Sequence, residues 1–184
     1  MIIEQFSHKY TSIPFATTSR DHKSNTYKNN IDTLFHIHKE MELLLVLSGN
    51  AKLFVDDKSF NIEQGDLILI PPYTVHRYTI FSNFSFKHYC MCFDLDLLYD
   101  KELKDKLENG TTTMKTIIKN SEKYAKYVIE AFEADLNKKD GWELFVIGNI
   151  SLLFSALIEE NFIFNKTTRN PKPACHKIVD YINF

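Results

Sequence analysis

The sequence predicts a mainly β protein with helices at its C-terminal end, a barrel or sandwich of short strands followed by a helical segment. Three observations carry that prediction. From residue 31 to residue 93, short apolar stretches alternate with turn-forming residues at regular intervals, as in a small all-β unit. After Asp94 the apolar residues shift to helical spacing. The chain has 184 residues, 44% hydrophobic and 14% aromatic, which suits one domain, or one domain with an appendage, and allows a sizeable core.

Residues 1–15 mix apolar and polar side chains and read as an irregular or extended arm. Ala16 to Arg20 can form an edge strand, and Asp21 to Asn30, rich in turn formers, a loop. Strands are expected at Leu34–His38, Glu42–Ser48, Ala51–Val55, Ser59–Ile62, Asp66–Ile70, His76–Phe81 and Phe86–Phe93. Breakers separate them at Ser48-Gly49-Asn50, Asp56-Asp57-Lys58, Gln64-Gly65-Asp66, Pro71-Pro72 and Ser82-Asn83. Leu43 to Leu47 is apolar on both faces, so it should be a central strand covered by the opposing sheet on one side and by the later helices on the other.

Leu97 to Glu108 is helical in composition and stops at Asn109-Gly110. A threonine-rich extended connection follows to Ile118, and Ser121 can cap the next helix. In that helix Tyr124, Tyr127, Val128, Ala131, Phe132 and Leu136 share an apolar stripe, and Asp140-Gly141 ends it. A third helix, Trp142 to Asn161, is apolar around most of its circumference and should be buried on more than one side, within its own monomer or against a second copy. Its apolar run to Ile158 is interrupted by Glu143, Gly148, Asn149, Ser151 and Ser155, so no membrane span is expected. Residues 165–173 read as a polar, proline-bearing linker, and Cys175 to Ile182 as the start of a further amphipathic helix.

A net charge of −2, from 22 basic and 24 acidic residues, leaves no electrostatic footprint for nucleic acid, so the chain as given is not expected to bind DNA by itself. The N-terminus lacks the pattern of a secretory signal. Three cysteines, Cys90, Cys92 and Cys175, form no framework, which suits a reduced, cytoplasmic protein. On a strand Cys90 and Cys92 share a face and would not bridge easily; as a zinc pair they would want further cysteines, and only His88 is close in sequence.

The densest chemistry lies between residues 36 and 76. His36 and His38 point the same way on a strand, Glu40 and Glu42 share their parity, and so do Leu44 and Val46. A set of polar groups would therefore line one end of an apolar cavity, and His76, opening the strand after Pro71-Pro72, could meet them. Three imidazoles and a carboxylate suit Fe(II), Mn(II), Ni(II) or Zn(II); the same groups can instead hydrogen-bond a small effector or one another. Apolar and aromatic neighbours, with Tyr78, would make a pocket for a small polar ligand that has some apolar surface. His88 faces either that cavity or solvent. There is no GxSxG, Walker or GxGxxG motif.

The first segment reads HxHxxxE, six residues, Gly; the second reads Gly, five residues, Pro, four residues, His. This pair resembles the two signature motifs of the cupin barrel. More specifically it resembles the N-terminal sensor domain of AraC-family transcriptional regulators, through the apolar run before Gly49 and the Gly65-Asp66…Pro71-Pro72…His76 segment. The second motif departs from the cupin pattern at Tyr73, where glycine is usual, and at Ile80, where asparagine is frequent.

The resemblance implies a cupin-like (jelly-roll) barrel with an N-terminal arm over 1–93, a helical dimerisation segment over 94–164, and over 165–184 a linker and the start of a truncated helix-turn-helix domain. It implies a non-enzymatic domain that senses a small-molecule effector, such as a sugar or related metabolite, and forms a homodimer. DNA contact would come only through a missing C-terminal domain, and no membrane is involved. The effector would meet His36, His38, Glu42, His76 and Tyr78. No cofactor is expected, although cupin metal ligands carry over to His36, His38, Glu42 and His76. The alternative is a stand-alone metal-dependent cupin enzyme of dioxygenase or isomerase type; a plainer reading is a metabolite-binding module without either output.

Overall fold

A computed structural model describes residues 2–3, 15–22, 31–81 and 85–165. The expected arm between residues 4 and 14, the loop from residue 23 and the tail beyond residue 165 lie outside these residues.

Two sheets face one another. The first runs β1 (Ile2–Ile3), β4 (His36–Ile37), β9 (His76–Ile80), β6 (Asn50–Val55), β7 (Lys58–Glu63), and β3 (Ile31–Asp32) also pairs with β9. The second runs β12 (Ile117–Ile118), β8 (Leu67–Ile70), β5 (Met41–Ser48), β10 (Phe86–Phe93), β2 (Phe15–His22). Only β1 on β4 is parallel among the pairs described. A small third sheet joins β11 (Thr112–Met114) to β13 (Ile163–Asn165). Three helices complete the fold: α1 (Lys101–Glu108), α2 (Glu122–Asn137) and α3 (Trp142–Glu159).

The expected strands are present, although the one expected over Leu34–His38 shortens to His36–Ile37, and β5 is central in its sheet. It swaps sheets with β6 through a turn at Gly49, where φ is +80° and an added Cβ would stand 1.8 Å from the Ser85 carbonyl oxygen. Only glycine tolerates both conditions. Period-two alternation then sorts the side chains. Leu44, Val46, Leu53, Ile68, Ile70 and Phe86 fill the space between the sheets. Leu43, Leu45, Leu69, Met91 and Phe93 face the other way, against Val128, Phe132, Val146, Ile150 and Leu153 of the helices. Thus β5 is apolar on both faces because both are covered.

Four details depart from expectation. The helix expected from Leu97 is split, because a 3-10 turn over Leu95–Leu98 ends at Tyr99 with φ +52° and α1 restarts after Asp100, whose carboxylate accepts from the Leu103 amide at 2.9 Å. Ser121 precedes α2 without capping it; its hydroxyl donates to the Gly65 carbonyl at 2.7 Å instead. The buried stripe of α2 ends at Asp135, held by the Thr17 hydroxyl, while Leu136 is exposed. Asn165, expected to open the linker, closes β13 opposite Thr112.

The third helix is buried on one side through Val146, Ile150, Leu153, Phe154 and Leu157, and exposes Leu144, Phe145, Leu152 and Ile158 on the other. At 18 residues and mean hydropathy 1.5 it has the length and composition of a membrane span, contrary to the expectation from its interruptions. Length and composition say no more than that, since a core helix meets the same measure, and this one's buried side belongs to the core.

Candidate functional site

Five side chains from both sheets meet at one end of the barrel. His36 (β4) lies directly opposite His76 (β9), and alternation along β9 turns Tyr78 the same way as His76. His38 follows β4 in a loop tied down by the turn at Pro72-Tyr73: the Tyr73 amide donates to the His38 carbonyl at 2.8 Å. Tyr73 adopts φ +60°, the left-handed conformation that explains why this position suits glycine in the motif. Glu42 enters from the second sheet. All five are buried.

Each imidazole is oriented through Nδ1. His36 Nδ1 lies 2.9 Å from the Leu34 carbonyl, His38 Nδ1 3.1 Å from the Glu40 carbonyl, and His76 Nδ1 2.9 Å from the Thr74 carbonyl. A carbonyl only accepts, so Nδ1 carries the proton in each ring and Nε2 is the atom presented to the interior. His38 Nε2 and His76 Nε2 each stand 3.3 Å from Glu42 Oε2. The other carboxylate oxygen, Oε1, accepts from the Tyr78 hydroxyl at 2.6 Å.

Two chemical states satisfy this geometry. Protonated imidazoles can donate Nε2–H to the carboxylate, or neutral imidazoles can share a cation with it. Burial alone would raise the Glu42 pKa; the charge on His76 and hydrogen bonds from His38 and His76 outweigh it and hold the carboxyl well below its usual range. Burial first, and then the Glu42 charge, push the Tyr78 phenol well above its ordinary value.

One ligand atom from each of His36, His38, Glu42 and His76 lies within 4.8 Å of all the others, so the set could hold a metal ion. The fit is chemical as well as spatial. A histidine ligand ordinarily donates its second ring nitrogen to a carbonyl or carboxylate, as all three do here. The donor set suits a borderline divalent ion.

His36, His38, Glu42, His76 and Tyr78 therefore lie in one cluster, while Glu40, which the sequence grouped with them, is buried with Oε2 3.7 Å from His38 Nδ1. The sequence reading missed what stands behind Glu42. Cys92 is its cross-strand partner on β10, and Cys92 Sγ lies 3.8 Å from Glu42 Oε2. The shared parity of Cys90 and Cys92 was visible, but the register that sets them beside Glu42 rather than His88 was not. Contact with Cys90, together with burial, raises the Cys92 thiol well above its usual pKa. His88 is buried, on the same side of β10 and 5.1 Å ring to ring from Phe86.

A two-sheeted barrel with a histidine–carboxylate cluster at one end defines a cupin-like domain. Residues 27–104 match the family model of the AraC-like ligand binding domain. In solved structures the chain resembles ToxT from Vibrio cholerae O395 bound to (E)-4-(8-methylnaphthalen-1-yl)but-3-enoic acid, with a TM-score of 0.59 and 15% identity over 92% of this chain and 65% of that one. It also resembles unsaturated-fatty-acid-bound ToxT from Vibrio cholerae strain SCE256, with a TM-score of 0.57 and 16% identity over 92% of this chain and 63% of that one. At such identities the likeness shows the fold alone. Among curated proteins, acireductone dioxygenase of Schizosaccharomyces pombe is 38% identical over 68 residues, 33% of this chain. The chain spans only 38% of that relative's length, and 34% of the length of the Puccinia graminis acireductone dioxygenase, to which it is 32% identical over 62 residues.

Proposed function

We propose that this chain is the effector-sensing and dimerisation part of an AraC-family transcriptional regulator, and not an enzyme. The observation that carries the reading is the convergence of His36, His38, Glu42, His76 and Tyr78 over an apolar interior, within the span that matches the AraC-like ligand binding domain. The effector's polar part meets these five residues and its apolar part lies against the barrel. The ToxT structures carry carboxylic acids, so organic acids join sugars as the effector classes to examine. DNA contact falls to a separate helix-turn-helix unit, with the barrel up to residue 93 and the segment from residue 94 to 164 as the dimerisation part. Transmission requires only that effector bind two arrangements of the dimer unequally.

A second copy of this chain fits the outer face of α3. Leu144, Phe145 and Leu152 are exposed there, and Gly148 between them has nothing within 4 Å of where a Cβ would stand, so another helix can approach closely. Sedimentation should give a dimer for the wild type and a monomer with unchanged circular dichroism for Leu152→Glu. A monomeric wild type would remove the dimer from the reading.

The test of sensing is a thermal-shift screen with sugars, polyols and medium- to long-chain carboxylic acids. A true effector raises the melting temperature of the wild type, and the shift falls at least several-fold in Tyr78→Phe or Glu42→Gln. A shift that survives in both variants places the effector elsewhere.

The four-ligand set and the local identity to acireductone dioxygenases favour one second reading, a metal-dependent cupin enzyme. It requires metal-dependent turnover that disappears in His38→Ala and in His76→Ala.

A further inference from the structure

The thiol side of Glu42 is a second cluster of donors. The Sγ atoms of Cys90 and Cys92 and a carboxylate oxygen of Glu42 all lie within 4.8 Å of one another. Both cysteines are thiols and not a disulfide. Cys92 and Glu42 are buried, while Cys90 is partly exposed, which gives an ion a way in.

Three features of the fold place these atoms together. Cys90 and Cys92 are two apart on β10, so both turn toward the barrel interior. The register of β10 on β5 sets Cys92 opposite Glu42 and Cys90 opposite Leu44. Tyr78 draws Oε1 of Glu42 aside at 2.6 Å, leaving Oε2 between the imidazoles and Cys92.

We propose that Cys90, Cys92 and Glu42 form a binding site for one soft metal ion of the Zn(II), Cd(II) or Cu(I) class, distinct from the imidazole set and sharing Glu42 with it. Two sulfurs and one carboxylate oxygen select soft to borderline ions, since thiolate prefers these while imidazole and carboxylate alone also accept harder ones. On binding, each thiol loses its proton to solvent and a metal–sulfur bond replaces each S–H bond. A fourth ligand can come from water. Because Glu42 serves both sets, a soft ion on the sulfurs alters the groups offered to an effector on the other side.

The probe is Cd²⁺ added to the reduced, metal-free chain, read by the ultraviolet charge-transfer band of cadmium–thiolate bonds. The wild type should show the band rising to one equivalent. Cys90→Ser and Cys92→Ser should each lower Cd²⁺ affinity by at least about a hundred-fold, beyond what loss of a supporting group costs. Cys90→Ala and Cys92→Ala, made in parallel, should give the same loss if a serine variant fails to fold. The band should persist in Cys175→Ser and in the double variant His36→Ala/His76→Ala. No band in the wild type overturns the site, as does a band that survives loss of both Cys90 and Cys92. Cadmium bound without a band, and released by the histidine variant, assigns the ion to the imidazoles and also overturns it. None of these outcomes bears on whether an organic effector binds, which the thermal-shift screen decides separately.

Discussion

Glu42 is a buried carboxylate surrounded on all sides by groups that can neutralise or share its charge. The Tyr78 hydroxyl holds Oε1 at 2.6 Å, and His38, His76 and Cys92 surround Oε2. A hydrogen bond to a charged group contributes about 1.5–3 kcal/mol, more than one between neutral groups. Tyr78→Phe removes that donor while keeping the ring that packs beside His76. It should therefore lower stability by about 1.5–3 kcal/mol, seen as a lower urea midpoint at unchanged slope. An unchanged midpoint would mean that solvent or the imidazoles already satisfy Oε1. The imidazole half of this cluster was legible in the sequence from its residue types and spacing, but not from strand parity, since β4 ends at Ile37, His38 lies in the following loop and Glu42 enters from the other sheet. The sulfur half was not: a cross-strand neighbour depends on register, and nothing local to Cys92 specifies Glu42, fifty residues away.

At the scale of elements, two glycines share a backbone conformation and differ in surroundings. Gly49 has φ +80° and Gly65 φ +85°. A side chain in this region costs about 1–2 kcal/mol, less what a stiffer unfolded chain returns. A Cβ on Gly65 meets nothing within 4 Å, whereas one on Gly49 strikes the Ser85 carbonyl. Gly65→Ala should therefore cost about 1 kcal/mol, and Gly49→Ala at least about 2 kcal/mol more, because β5 and β6 must separate from the segment before β10. Equal losses by denaturant unfolding would mean that Ser85 moves aside freely. Both turns were legible from glycine between apolar runs, but the contact that separates them was not. The break at Tyr99 was also hidden, since Leu97–Glu108 has helical composition throughout and only the left-handed residue splits it. So was the pairing of β12 with β8, which brings Lys119 to the buried Asp66 at 2.7 Å and to Glu63 at 3.1 Å. Burial disfavours the Lys119 charge, but the hydrogen bonds to Asp66 and Glu63 outweigh it and raise its pKa above 10.5. A raised pKa means that this contribution is complete below 10.5 and is lost as the pH climbs through the folded value. Lys119 is half exposed, so the effect is screened and small. The melting-temperature gap between wild type and Lys119→Met should narrow above that pH; a constant gap would assign it to packing of the lysine stem.

At the scale of the whole molecule, the cluster joins the two sheets through polar side chains. His36 and His76 stand on the first sheet and Glu42 on the second, while α2 and α3 cover the second sheet from behind. The sequence showed α3 to be apolar nearly all round; which side is covered depended on how the helices dock, and a periodicity shared by both sides could not express it. An ion held by His36, His38, Glu42 and His76 ties the sheets together only in the folded state, so its binding energy adds to global stability and not to one loop. Ni²⁺ suits this set because imidazole and carboxylate accept it well. At a free concentration a hundred times its dissociation constant it should contribute about 2.7 kcal/mol. For a chain of this size that is a rise of roughly 5–10 °C in melting temperature over the chelator-treated protein. The double variant His38→Ala/His76→Ala should abolish the rise, and Cys90→Ser should leave it. If the rise survives loss of both histidines, the imidazoles do not hold the ion, and they are left to one another, to Glu42 and to the effector. If it disappears with Cys90 instead, one mixed site spans both sides of Glu42, and an ion there would be sensed by both sheets at once.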